Sequence, residues 1–85
     1  MTDFVTESAE LVRVLVEPLV DYPDELDITS SLTDDDTILV EIRVNESDAG
    51  KVIGRQGRVI KAIRTLCRAA ASKNEAYYVE VELID

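Results

Sequence analysis

The chain has 85 residues, 46% of them apolar and 32% charged, so one domain with a hydrophobic core near the lower size limit is expected. One cysteine and no histidine exclude an internal disulfide, a typical zinc ligand set and imidazole acid–base catalysis. A net charge of −9, taken over the whole chain, argues against binding a polyanion.

Residues 3 to about 20 predict an amphipathic helix, because Val5, Ala9, Val12, Leu15, Val16, Leu19 and Val20 recur at helical spacing. Asp3 or Thr6 is placed to cap its start, with Glu7 and Glu10 near the positive end of the dipole. Pro18 disturbs or ends this helix, and Pro23 prevents its resumption. Leu26, Ile28, Ser30 and Leu32 then alternate with polar residues as a half-buried strand. After the polar turn 33–36, Ile38, Val40, Ile42 and Val44 alternate as a second strand, which makes a hairpin with the first. Ser47 or Asp48 is placed to cap a short helix from Ala49 to Ile53. The loop 54–57 interrupts it, and a longer helix runs from Arg58 to about Lys73, ended by Asn74 and Glu75. Residues 77 to 84 alternate again as a third strand, with Val79, Val81 and Leu83 facing one way and Glu80 and Glu82 the other. The order is αββααβ, an α+β fold. The third strand follows a helical crossover, so it can lie parallel to one hairpin strand in a three-stranded mixed sheet. Three helices are expected on one face, with the acidic strand residues facing water on the other.

The charge is sharply partitioned. Residues 51–73 hold seven basic residues and no acidic one, while the remaining 62 hold all 18 acids and only Arg13 and Arg43 as bases. At physiological salt the Debye length is about 8 Å, so a ligand at the basic segment feels mainly its local charge. Within that segment Gly54 and Gly57 bracket Arg55 and Gln56 just before a helix. Two glycines allow positive φ and close approach of the backbone to a ligand. A helix start offers free N–H groups and the positive dipole end, a ready site for phosphate. On the following helix Val59, Ile60, Ile63, Leu66, Cys67 and Ala70 share one side, and Arg58, Lys61, Arg64 and Arg68 share the opposite one.

A Gly-x-x-Gly alone is a weak signal, and a basic helix face is usually just solvated. The coincidence of loop, helix start and exclusive positive charge points to a phosphate or nucleic-acid site. The P-loop spacing and the dinucleotide-binding spacing are both absent. The aromatics Phe4, Tyr22, Tyr77 and Tyr78 lie outside the basic segment, against an aromatic stacking platform there. Val52, Ile53, Val59 and Ile60 are placed to line an aliphatic groove for bases.

The run Val52-Ile53-Gly54-Arg55-Gln56-Gly57-Arg58-Val59-Ile60-Lys61-Ala62-Ile63 resembles the K homology (KH) motif, Val-Ile-Gly-x-x-Gly followed by a helix. The element order resembles the type II arrangement, and size and context resemble the small stand-alone bacterial KH proteins of the KhpA type. The resemblance spans nearly the whole chain, as a single KH domain over 1–85. Within it, 1–22 would be an N-terminal helix and turn, and 26–84 the KH core. It implies a module for single-stranded RNA that clamps the backbone of about four nucleotides. Carried over to this sequence, Gly54 and Gly57 would shape the clamp, and Arg55 and Gln56 would contact phosphate or sugar. Ile53 and Ile60 would flank the base groove, and Lys51, Arg58 and Lys61 would add positive charge. It also implies a cytoplasmic RNA chaperone or post-transcriptional regulator linked to cell elongation and division. Such proteins form homodimers or heterodimers with a larger KH-containing RNA-binding protein.

No catalysis, cofactor or metal is expected, nor membrane or duplex DNA binding. No segment has the roughly 18 apolar residues of a bilayer span, and the first residues lack the pattern of a signal peptide. The rival reading keeps the fold as a protein-interaction or dimerisation unit with weak or partner-dependent RNA binding. Cys67 is expected to be a buried inert thiol, Asp34-Asp35-Asp36 a solvated turn, and Tyr77 and Tyr78 packing residues.

Overall fold

A computed structural model describes residues 3–74 and 78–84. Helix α1 spans Phe4–Val16, and the Asp3 carboxylate caps it by accepting from the Thr6 N–H at 2.8 Å. It stops short of residue 20 because Pro18 has no N–H to continue the ladder; Glu17–Leu19 forms a single 3₁₀ turn instead. A second 3₁₀ turn at Pro23–Glu25 leads into strand β1, Asp27–Leu32. Strand β2, Thr37–Arg43, returns antiparallel to it, with Ile28 opposite Ile42 and Leu32 opposite Ile38. Helix α2 is Ala49–Ile53 and helix α3 is Arg58–Asn74. Strand β3, Tyr78–Ile84, lies parallel to β2, so the sheet order is β1-β2-β3 with β2 in the centre. The α+β mixed sheet is the expected one. The expectations for Glu75 and Tyr77 lie outside the described residues.

Alternation decides what the sheet buries. Ile38, Val40 and Ile42 of β2 and Val79 and Val81 of β3 face the helices and are buried. From the helices come Val12 and Val16 of α1, Val52 of α2, and Ile60, Ile63, Cys67 and Ala71 of α3. Each fully buried aliphatic side chain contributes about 1.5–3 kcal/mol relative to exposure. Leu66 departs from the expected core face. It stands 50% exposed, because the buried arc of α3 is centred on Ile60, Ile63 and Cys67, and Leu66 lies a quarter turn outside it. One buried serine and one half-buried serine have their bonds made. Ser8 Oγ donates to the Phe4 carbonyl at 2.8 Å, and Ser30 Oγ donates from β1 to the Val5 carbonyl of α1 at 2.7 Å. The second bond ties the first helix to the outer strand.

Neither Ser47 nor Asp48 caps the α2 region with its side chain. Asn45 does so for the short 3₁₀ turn Glu46–Asp48, its Oδ1 accepting from the Ser47 N–H at 2.9 Å. Asp48 is fully buried and its carboxylate serves the chain between α1 and β1. One oxygen accepts from the Asp21 N–H and the other from the Tyr22 N–H, each at 3.0 Å. Lys51 Nζ adds a contact to Asp48 at 3.2 Å and another to Asp21 at 3.2 Å. A buried carboxylate without such partners would be strongly unfavourable, so the network makes the burial tolerable.

Burial pushes the Asp48 carboxyl up, but the Asp21 and Tyr22 amides and the Lys51 ammonium outweigh it, and the group ends below its ordinary 3.8. The bond to Asp21, then that to Asp48, holds the Lys51 ammonium above its ordinary 10.5. A lowered carboxylate stabilises the fold above its unfolded value, and that contribution is lost as pH falls through the folded value. Asp48→Asn is expected to lower Tm at pH 7, and the gap to the natural chain is expected to shrink as pH drops below 3.8. Thermal melts followed by circular dichroism between pH 7 and pH 2.5 check this. A gap that stays constant with pH would assign Asp48 a packing role only.

Candidate nucleic-acid interface

The loop between α2 and α3 is shaped by what its first glycine touches. Helix α2 closes with the Gly54 N–H donating to the Gly50 carbonyl at 2.8 Å, and Gly54 itself takes φ 77° and ψ 170°. A Cβ on residue 54 would lie 2.3 Å from Val59 Cγ2 and 2.8 Å from the Val59 amide nitrogen. Only a glycine lets the end of α2 pass this close to the first turn of α3. A 3₁₀ turn follows at Arg55–Gly57, with the Gly57 N–H on the Gly54 carbonyl at 3.1 Å and the Arg58 N–H on the Arg55 carbonyl. Gly57 has φ 74°, yet the nearest atom to a Cβ there would be Lys61 Cε at 3.8 Å. Its requirement is therefore conformational, while that of Gly54 is also steric.

Gln56 is left-handed too, at φ 58° and ψ 24°, although it has a side chain. That conformation costs roughly 1–2 kcal/mol for an L-residue. Strain kept at an exposed loop tip is a mark of a working site. The turn leaves the Arg55 and Gln56 N–H groups without a hydrogen-bond partner among the described residues. Successive free N–H groups at a left-handed turn form a concavity for an anion, and they sit at the positive end of the 17-residue helix α3. Arg55, Gln56, Arg58 and Lys61 are exposed around it, with Arg58 Nη2 donating to Gln56 Oε1 at 3.2 Å.

The nine residues singled out in the sequence divide by environment. Ile53, Gly54, Arg55, Gln56, Gly57, Arg58 and Lys61 gather at the loop. Ile53, 41% exposed, is an apolar surface beside the glycines. Ile60, only 7% exposed, points into the core, because it lies on the arc of α3 that covers the sheet. Lys51 is held by Asp21, Asp48 and the Ser47 carbonyl, so its charge is balanced within the fold.

Three further residues extend the surface. Arg64 Nε donates to the Val81 carbonyl at 3.1 Å, which carries the basic flank of α3 to the edge of β3. Arg68 continues that flank, and a hollow joins it to Tyr78. Tyr78 is 74% exposed and does not pack in the interior. The strand alternation contains the signal, since Tyr78 shares parity with Glu80 and Glu82, the water-facing side.

The KhpA/KhpB KH-domain family model matches residues 9–83, a span that includes the loop, both flanking helices, β1, β2 and all but the last residue of β3. The chain belongs to the KhpA/KhpB family of KH domains. Among curated relatives, the RNA-binding protein KhpA of Clostridium acetobutylicum is 45% identical over 73 residues, 85% of this chain and 96% of its own. KhpA of Listeria monocytogenes is 43% identical over 76 residues, 89% of this chain and 97% of its own. KhpA of Treponema pallidum is 41% identical over 81 residues, 95% of this chain and 99% of its own. Among solved structures, Aquifex aeolicus Era bound to GDP and AlF4− superposes with a TM-score of 0.67 at 22% identity. The match covers 98% of this chain and 31% of that one, so the likeness concerns the fold of one part of Era.

The two family glycines are expected to differ in cost. Gly54→Ala meets both the clash and the positive φ and should destabilise by about 3 kcal/mol or more. Gly57→Ala meets only the conformational cost, about 1–2 kcal/mol, and Gly57→Asn less, since Asn adopts the left-handed region more readily. Urea midpoints of the three variants check the order.

Proposed function

We propose that this chain is a non-catalytic module that binds single-stranded RNA at the 54–57 loop. The carrying observation is the pair of N–H groups at Arg55 and Gln56 that find no partner among the described residues, ringed by Arg55, Arg58 and Lys61 within a stretch devoid of acids. Phosphate oxygens supply the charge and the acceptors that such a site lacks. Ile53 offers an apolar contact beside it, and Tyr78 offers a ring on which a base can stack. The KhpA relatives are named RNA-binding proteins, which supports the same reading. A second Era structure, in complex with MgGDPNP and nucleotides of 16S ribosomal RNA, shows this fold within an RNA-bound protein.

The wider role we infer is that of a cytoplasmic RNA chaperone or post-transcriptional regulator acting in cell elongation and division. A clamp of about four nucleotides binds weakly alone and gains strength when modules are paired. Pairing with a second copy, or with a larger KH-containing protein, is part of the proposal. Leu66 supports it: this half-exposed side chain lies between the exposed Ala62 and Ala69 on α3, at spacings that share one helix face.

Fluorescence anisotropy with a mixed-sequence single-stranded RNA pool tests the site. The natural chain should bind, with log affinity falling against log salt at a slope of about −3 for four phosphate contacts. Arg55→Asp combined with Gln56→Asp should weaken binding at least tenfold while circular dichroism stays unchanged. Binding by the folded double variant as tight as that of the natural chain would remove the loop from the reading.

A further inference from the structure

At the carboxyl end of α1 lies a hollow of about 500 Å³, lined by Val14, Glu17, Pro18 and Pro23. Both prolines of the chain stand there. Val14 is 69% exposed on α1, and Tyr22, next to Pro23 in the chain, is 50% exposed. Exposed apolar side chains scattered singly need no explanation, but a group of them around one hollow with a charged rim marks an interaction surface. The segment that carries this group is held rigid. Val16, Val20 and Leu26 anchor it in the core. The buried Asp48 carboxylate accepts from the N–H groups of Asp21 and Tyr22. The Leu26 N–H donates to the Pro23 carbonyl at 3.2 Å, and each proline fixes its own φ. The surface is thus formed before any partner arrives, which lowers the entropy lost on binding.

The rim is acidic. Residues 14–25 hold Glu17, Asp21, Asp24 and Glu25 and no base, and all four acids are exposed. Glu10 lies one turn before Val14 on the same helix face. Arg13 pairs with Glu17 at 3.8 Å and Lys51 with Asp21 at 3.2 Å, so two cations meet five carboxylates and the rim stays negative. Such a rim repels phosphate and anionic lipid headgroups. It complements a cationic protein surface that carries apolar anchors. We propose that this surface docks a basic amphipathic helix of a partner protein. The apolar stripe of that helix covers Val14, Pro18 and Tyr22, and its Lys or Arg side chains meet Glu17 and Asp24. The surface shares no residue with the 54–57 loop or α3, so its occupancy does not depend on the RNA reading.

The experiment is fluorescence anisotropy of the full chain with a labelled synthetic Lys/Leu peptide whose leucines recur at helical spacing. A scrambled peptide of the same composition keeps the charge and loses the apolar stripe. The natural chain is expected to bind the helical peptide about tenfold more tightly than the scrambled one. Val14→Gln combined with Tyr22→Ser should remove that preference; glutamine is a better helix former than valine, so α1 is kept. Glu17→Gln combined with Asp24→Asn should weaken binding and flatten its dependence on salt. Glu80→Gln combined with Glu82→Gln removes the same charge from the open face of the sheet and should leave binding unchanged. All six positions are exposed, and circular dichroism verifies the folds. Equal binding of the two peptides by the natural chain overturns the inference. So does equal weakening by the two charge-removing variants, which would mean attraction to an acidic protein in general. If the natural chain ignores both peptides, the inference also fails. Light scattering that then shows a dimer, lost in the Val14/Tyr22 variant, would give the surface to a second copy instead.

Discussion

The end of α2 and the start of α3 approach so closely at Gly54 and Val59 that no side chain fits between them. This contact fixes the angle at which α3 leaves the loop, and with it the position of every charged group on that helix. It also forces the reversal between the helices into three residues, so Gln56 and Gly57 take left-handed conformations and the Arg55 and Gln56 N–H groups turn outward. Val52, two residues before the loop, is fully buried, and Ile60, three residues after it, is nearly so. The loop is therefore clamped at both ends by the core. Its open N–H groups result from packing and need no ligand to hold them in place.

Electrostatics separates the molecule into two regions. The acids sit on α1, on the segments around β1 and β2, and along the outer face of β3, while the exposed cations other than Arg13, Arg43 and Lys51 lie on the loop and α3. Lys51 marks the boundary. Its ammonium is spent on Asp21 and Asp48, which fastens the chain after α1 to the helix that enters the loop. Repulsion from the acidic body limits contact with long polyanions, and screening over about 8 Å lets a short strand see the loop first.

The strands and the long helix were legible in the sequence because their periods are set by burial on one face. Ile38, Val40 and Ile42 alternate cleanly, and the structure buries all three. The loop was legible from two glycines and from the distribution of charge. The misreadings arise where one residue answers to a distant partner. Asp48 looks like a helix cap, yet it serves two amides more than 20 positions away. Lys51 looks like a free cation for the same reason. Leu66 sits at the margin of a helical pattern, where a 100° step per residue leaves the boundary of the buried arc undetermined until the sheet is in place. Tyr78, expected as a packing residue, has the parity of the water-facing side and stands exposed.

The parallel pairing of β3 with β2 carries a kinetic consequence. The hairpin of β1 and β2 closes over a four-residue turn, so its hydrogen bonds come at little loss of chain entropy. Ile38 meets Val79 only after the whole α2–loop–α3 crossover has been folded back across the sheet. That crossover contains the glycine loop. The slow, non-local step that completes the sheet is thus the same step that assembles the anion-binding turn. A chain arrested at the hairpin would have neither, so the population that is folded and the population that is competent at the loop rise together.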